Sequence, residues 1–405
     1  MASGLIFGIN AALNLLLTLA LARLLSASAY GALATWTAAA LFVATAAFDW
    51  VRFSAMRFYT PASREGDPPV RATLDMSFLG CVPLAVLAVL ALAGGGALPE
   101  LDALGILALA AFLIGNAGSE YLAALARNVG ATGAYARLVG LRHVLTLGSA
   151  LPVAALTHEP HATIVALGLA VWPSVLFGAL ALRDRTASAS LASPARALRF
   201  LRYGAPQIAA EAMFQAIGLV NRLWLASQVD LAAAGIYALT FDLAFKVVAV
   251  MASVTEAALM PRLVARASAT ARAAGQVRPD LTRLIVAMLA VTVSTGAVFW
   301  LLSPAVSWLL LAPSFQAGFL GAVGIALACA GLYVAQTYVL RPIFQLDLRT
   351  APLFHSALLA FAVNAATLPL LAHEGVTGTM LAHFGGLAAG AALLLVRAVL
   401  AWRRA

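Results

Sequence analysis

The chain has 405 residues, 63% of them hydrophobic and only 10% charged, with a mean hydropathy of +0.96. Soluble domains hold about 45–50% apolar residues, so a soluble globule is excluded, while repeated apolar runs suit a hydrocarbon core about 30 Å thick. The formal charge of +9 would suit nucleic acid in a soluble chain, but here the basic residues are scattered through the loops as topogenic and headgroup-facing charges, which excludes that partner.

In chain order, apolar runs and their breakers predict about twelve transmembrane helices: 4–22, 32–51, 73–95, 103–125, 136–156, 162–182, 205–226, 232–257, 282–303, 315–338, 351–371 and 376–397. The first run, MASGLIFGINAALNLLLTLALA, is uncharged and long enough to span, with no distinct cleavage site. Cys81 and Cys329 fall inside apolar runs and read as small packing residues.

Of the 25 basic residues, 22 fall on one set of alternate loops, from Arg52 to Arg404; the opposite loops hold Glu100, Asp102, His158, Glu159, Asp230 and Glu374. By the positive-inside rule both termini are cytoplasmic. The spacing within His158-Glu-Pro-His161 does not suit a metal site. Six spans precede the basic stretch 183–206 and six follow, which predicts an N-terminal six-helix bundle over 1–182, a linker over 183–204 and a second bundle over 205–405. Within that stretch, ARALRFLRYG reads as an amphipathic helix on the inner leaflet or as an ordinary loop. A shift of 204 residues lays ARLLSASAYGAL over ASQVDLAAAGIYAL, with Gly31 on Gly235 and Met56 on Met260. Six spans per half keep both halves in one orientation, so a pseudo-twofold axis runs along the membrane normal.

The segment LARLLSASAYGALATW, followed by FDWVRFSAMRFYTPA and matched in the second half by EAALMPRLVAR, resembles the Wzx-like polysaccharide flippases. These belong to the multidrug/oligosaccharidyl-lipid/polysaccharide exporter superfamily. The resemblance implies a MATE/flippase-like all-α fold, two six-helix bundles around a cavity that opens alternately to either side. It also implies a substrate made of an oligosaccharide on a polyprenyl (pyro)phosphate, handled in the bacterial inner membrane for surface polysaccharide assembly and in the company of polysaccharide assembly proteins.

Charges inside a bilayer are costly and default to function. Glu211, Gln215, Gly218 and Arg222 form one stripe of span seven; Asp242, Lys246, Ala249, Ser253 and Glu256 form one of span eight. Both stripes should face the bundle interior or a hydrated cavity. Asp242 and Lys246 read either as an internal ion pair or as a cavity cation beside an acid. Arg23 and Arg222 read as cavity cations or interface anchors, and Asn10, Asn14 and Thr18 as a sugar-facing or helix-packing stripe. Asp49 and Arg52 are spaced for an ion pair.

The substrate-facing candidates are therefore Arg23, Arg222, Lys246, Asn14 and Gln215, and the H⁺- or Na⁺-coupling candidates Asp242, Glu211 and Glu120. No catalytic residue, metal or cofactor is expected. The sequence has no G-x-x-x-x-G-K-[ST] phosphate loop, which leaves an ion gradient, the membrane potential or coupled synthesis as energy source. Short external loops disfavour a glycosyltransferase or polymerase. A cation-coupled multidrug exporter of the same fold is the alternative, set back by a first span without Asp or Glu.

Overall fold

The computed structural model describes residues 2–269, 274–346 and 351–404, with side chains for most of them. The side chains of Met260, Arg262, Arg266, Arg278, Arg403 and Arg404, and Arg272 and Arg349 altogether, lie outside the described residues. The elements are helical throughout the described chain: α1 (Ala2–Leu24), α2 (Ala27–Phe58), α3 (Pro61–Gly66), α4 (Pro68–Gly94), α5 (Ala103–Asn128), α6 (Thr132–Thr157), α7 (Pro160–Ala170), α8 (Trp172–Ala181), α9 (Pro194–Gln228), α10 (Leu231–Ala269), α11 (Ala274–Leu310), α12 (Pro313–Val334), α13 (Arg341–Leu346), α14 (Ala351–Leu371) and α15 (Gly375–Arg404).

All twelve predicted spans fall on these helices, the sixth divided between α7 and α8. Nine helical stretches among the described residues are long and apolar enough to cross a membrane. One of the nine, Ala351–Leu400, contains α14 and most of α15; α1 contributes a shorter apolar stretch, Gly8–Leu24, and α9 is more polar. The protein is a multi-pass membrane protein.

Local chemistry sets the breaks. Proline occupies the first turn of α3, α4, α7 and α12, where its missing N–H costs nothing. Ser26 ends the first apolar run by capping α2, its Oγ accepting the Ala29 N–H at 3.2 Å. The shifted repeat reappears here: α10 starts 204 residues after α2, and Asp230, at the place of Ser26, accepts the Ala233 N–H at 2.6 Å. Asp102 caps α5 in the same way, taking the Gly105 N–H at 2.7 Å.

Contacts gather the chain into two compact units. One runs over Leu24–Gln215; the other takes Ser3–Arg23 with Ala216–Ala405. The first unit packs α2 against α4 and α5, and α7 against α5 and α6. Trp36 is fully buried in it and its indole N–H reaches the Pro99 carbonyl at 3.0 Å. The second unit packs α10 against α11 and α12, and α14 along α15, over a core that includes Phe315, Phe319, Val334 and Leu387. Large side chains such as Leu107, Leu156, Val293 and Trp308 remain exposed, as they must on helices whose outer faces meet lipid.

In hydrocarbon, apolar faces gain little by leaving lipid for one another, so helix pairs depend on close backbone approach through small residues. Gly390 of α15 is such a point: a Cβ there would lie 2.7 Å from the Ser356 carbonyl oxygen of α14. Replacing Gly390 by Leu should cost about 1–3 kcal/mol of overpacking and lower the unfolding temperature in detergent. Gly321→Ala, where a Cβ meets nothing within 4 Å, should leave that temperature unchanged or raise it.

Candidate functional site

The polar stripe of α10 sets the site. Asp242, Lys246, Ser253 and Glu256 recur on one face, and each finds a partner on a different element of the same unit. The Arg222 guanidinium of α9 donates to the Asp242 carboxylate at 2.7 Å. The Lys246 ammonium donates to the Thr18 hydroxyl of α1. Ser253 and Tyr338 share a hydroxyl contact at 3.0 Å, and Arg341 at the start of α13 stands 3.6 Å from Glu256. Tyr338 sits in a π-helical turn, Ala335–Leu340, between α12 and α13; wider turns of this kind shift the side chains that follow them.

Thr18 is the last rung of a ladder on α1. Its hydroxyl donates to the Asn14 carbonyl at 3.0 Å, and the Asn14 amide donates to the Asn10 carbonyl at 3.1 Å. At the end of the same helix, Arg23 donates to the Leu311 carbonyl at 2.9 Å. The bonds of the N-terminal stripe thus run along α1 itself, and the Thr18 hydroxyl at its end meets Lys246.

Lys246 also borders a groove of about 510 Å³ among α1, α10 and α11. The α1 wall carries the small residues Gly8, Ala11 and Ala12 with Leu15; the others carry Val250, Val298 and Phe299, with the hydroxyls of Ser294 and Thr295 among them. A predominantly apolar trough with an ammonium at its edge accepts a ligand with an apolar body and an anionic head.

The remaining predicted residues lie in the other unit. The Asp49–Arg52 pair forms at 3.0 Å. Glu120 of α5 is held by Arg142 of α6 at 2.7 Å and lies 3.8 Å from Arg52; Arg142 also reaches the Asn116 side-chain oxygen at 3.5 Å. Glu211 of α9 is within electrostatic reach of Asp49, and Gln215 is half-buried one turn further on. His158 and His161 bond separately, to the carbonyls of Leu24 at 2.9 Å and of Glu100 at 2.7 Å.

Two polar clusters were not anticipated from sequence. Asn221 and Asn364 exchange reciprocal amide hydrogen bonds at 3.2 and 3.0 Å; Asn221 also donates to Tyr237 at 2.9 Å, and the Tyr237 hydroxyl meets His383 Nδ1 at 2.8 Å. All four are buried, so α9, α10, α14 and α15 are tied by one neutral network. In the other unit, Arg71 of α4 grips Asp75 at 2.8 Å, and Tyr121 of α5 donates to the same carboxylate at 2.6 Å. The signal was present: Asn364 and His383 are isolated polar residues within predicted spans, the pattern that made Lys246 a candidate.

Solved structures share this architecture over nearly the whole chain. A lipid II flippase MurJ in an inward closed conformation matches with a TM-score of 0.64 at 11% identity, over 96% of this chain and 85% of its own. An inward-facing multidrug resistance MATE family transporter of the MOP superfamily matches at 0.62 and 15%, over 98% and 94%. The eukaryotic MATE transporter AtDTX14 matches at 0.64 and 14%, over 99% and 94%. The fold is that of the MATE and MurJ transporters. No protein-family profile and no curated protein matches the chain. At these identities the likeness establishes the fold alone, a fold found here in a flippase and in drug transporters rather than in enzymes.

The Arg222–Asp242 pair generates a stability prediction. Arg222 is 8% exposed, so Arg222→Leu leaves a carboxylate in a span without its counter-charge and should cost about 3 kcal/mol. Arg222→Leu with Asp242→Leu removes both charges and should recover most of the loss. Thermal unfolding of the purified single and double variants checks this; a double variant no better than the single one would mean that the pair is not the relevant unit.

Proposed function

We propose that the protein is a flippase that carries a polyprenyl-(pyro)phosphate-linked oligosaccharide across the bacterial inner membrane, from the cytoplasmic to the periplasmic leaflet, for surface polysaccharide biosynthesis. The observation that carries this reading is the groove bordered by Lys246. A lipid-linked sugar combines a long apolar chain, an anionic phosphate and a polar head. Val250, Val298 and Phe299 suit the chain; the Lys246 ammonium is a compact point charge suited to phosphate; the Ser294 and Thr295 hydroxyls supply polar contacts beside it. Arg222, Arg23, Asn14 and Gln215 complete the set that a headgroup meets along its path.

In this reading the two six-helix halves, 1–182 and 205–405 joined by 183–204, alternate access to the two leaflets, with both termini cytoplasmic. Asp242, Glu211 and Glu120 take the proton or Na⁺ that drives the cycle. Ion pairing supports such a role in one respect: an acid paired with arginine in a low-dielectric span changes partner when a cation arrives or leaves. Binding drives a conformational change only through the difference in affinity between its two states, and the Lys246–Thr18 bond between α10 and α1 is a contact that a phosphate can replace in one state and not in the other.

A second reading, a cation-coupled multidrug exporter, is favoured by the likeness to two MATE transporters. An ammonium at the edge of the groove repels the organic cations that such an exporter would carry.

Reconstitution in liposomes separates the two. With a short-chain polyprenyl pyrophosphate disaccharide as probe, the wild type should move it between leaflets, and Lys246→Ala should reduce the rate by at least about tenfold, a loss of one charge-assisted hydrogen bond, at unchanged protein content. Lys246→Arg should retain most of the rate. Transport of a fluorescent organic cation with no movement of the lipid-linked disaccharide would favour the exporter, and an unaffected Lys246→Ala variant would remove that residue from the mechanism.

A further inference from the structure

The first turns of α9 carry a surface that the transport reading does not use. α9 is 35 residues long, about 52 Å at 1.5 Å per residue, against a hydrocarbon core of about 30 Å. Its N-terminal part therefore extends past the core on the side where the basic loops gather. Pro206 stands inside the helix and offers no N–H to the Arg202 carbonyl, a point at which helices bend.

This extension has two faces. One is anchored on α2: Phe200 is fully buried and stacks on Phe58 at 4.9 Å, the Ser54 hydroxyl donates to the Phe200 carbonyl at 3.0 Å, and a Cβ on Gly204 would meet Trp50 at 3.0 Å. The other face is largely open, with a ring contact at its rim where Tyr203 meets Phe58 edge-on at 5.3 Å. Leu198 is 47% exposed, Leu201 40% and Tyr203 49%, and Arg199 and Arg202 are exposed beside them. On a helical wheel Leu201 and Leu198 form an apolar edge, Arg202 and Arg199 follow, and Tyr203 closes the arc. Arg199 is stacked over the Phe58 and Phe200 rings at 5.8 and 6.0 Å, which fixes its guanidinium. Arg196, by contrast, is turned inward onto Asp67 at 2.7 Å and is not part of this face.

We propose that residues 198–203 form a docking surface for the headgroups of acidic phospholipids in the adjoining leaflet. Leucines at the edge of an amphipathic segment enter the acyl boundary, arginines at its crest meet phosphate, and tyrosine occupies the interface. Charge complementarity selects the occupant: Arg199 and Arg202 are exposed on the segment, and Arg57, Arg64, Arg183 and Arg185 are exposed elsewhere in the same unit, a basic character that favours an anionic surface over a zwitterionic one.

Native mass spectrometry of the whole protein tests the surface, with phosphatidylglycerol and phosphatidylcholine supplied together in micelles. The wild type should retain phosphatidylglycerol preferentially. Arg199→Gln and Arg202→Gln should each reduce that preference about fivefold, the effect of about one basic residue at a membrane surface, whereas Arg137→Gln, an exposed arginine elsewhere on the basic side, should not. Lysine at both positions should keep the preference, which distinguishes loss of charge from loss of fold. Equal retention of the two lipids by the wild type, or equal effects of Arg202→Gln and Arg137→Gln, would overturn the site. The outcome is independent of the substrate, because the measurement does not involve transport.

Discussion

A guanidinium or carboxylate inside a hydrocarbon layer finds no water, and it persists there only if the protein supplies a counter-charge or a hydrogen bond. Much of the second unit follows from that constraint. Asp242 is held by Arg222, Lys246 meets Thr18, Ser253 meets Tyr338, and Glu256 faces Arg341. One stripe on α10 therefore recruits α9, α1, the π-helical turn and α13, and it determines which of their faces turn inward. The neutral network of Asn221, Tyr237, Asn364 and His383 extends the same logic to α14 and α15. In a medium where apolar burial provides little between helices, satisfied polar groups and close glycine contacts are what make the packing specific.

The groove is the place where this packing leaves room. Small residues on α1, Gly8, Ala11 and Ala12, leave the space beside α10 and α11 unfilled, and Lys246 at the border adds charge without closing it. A fold shared with a flippase and with drug transporters does not select between substrates. An anionic substrate is proposed instead from the ammonium beside the apolar trough, which attracts phosphate and repels organic cations at the same distance.

The two halves of the chain show how a weak internal repeat is preserved. Ser26 and Asp230 share little as residues, yet both accept an N–H three positions on, and both start a long helix at equivalent places. Capping requires a side-chain acceptor at a fixed offset, not a particular residue. Sequence identity can decay around such a position while the turn remains.

Much was legible in the sequence. The apolar runs gave helices at all twelve predicted places, because a backbone in hydrocarbon must bond within its own segment. The periodic polar residues marked the inward face of α10, and the i, i+3 spacing of Asp49 and Arg52 marked a pair that forms. Periodicity says which residues share a face and is silent on what lies opposite. Asp242 had Lys246 one turn away as an apparent partner, yet its carboxylate is bound by Arg222 of the neighbouring helix, and the ammonium reaches Thr18, 228 residues distant in sequence. Glu120 similarly finds Arg142 on α6, and Asn221 finds Asn364 on α14. The sequence by itself determined a polytopic helical membrane protein, its spans and its polar stripes, since each depends on neighbours within a few residues and on the solvent. Which stripe meets which, and therefore where the groove and its cation lie, was decided only by the tertiary structure, because helix partners are chosen by side-chain shape and charge across gaps that no local pattern encodes.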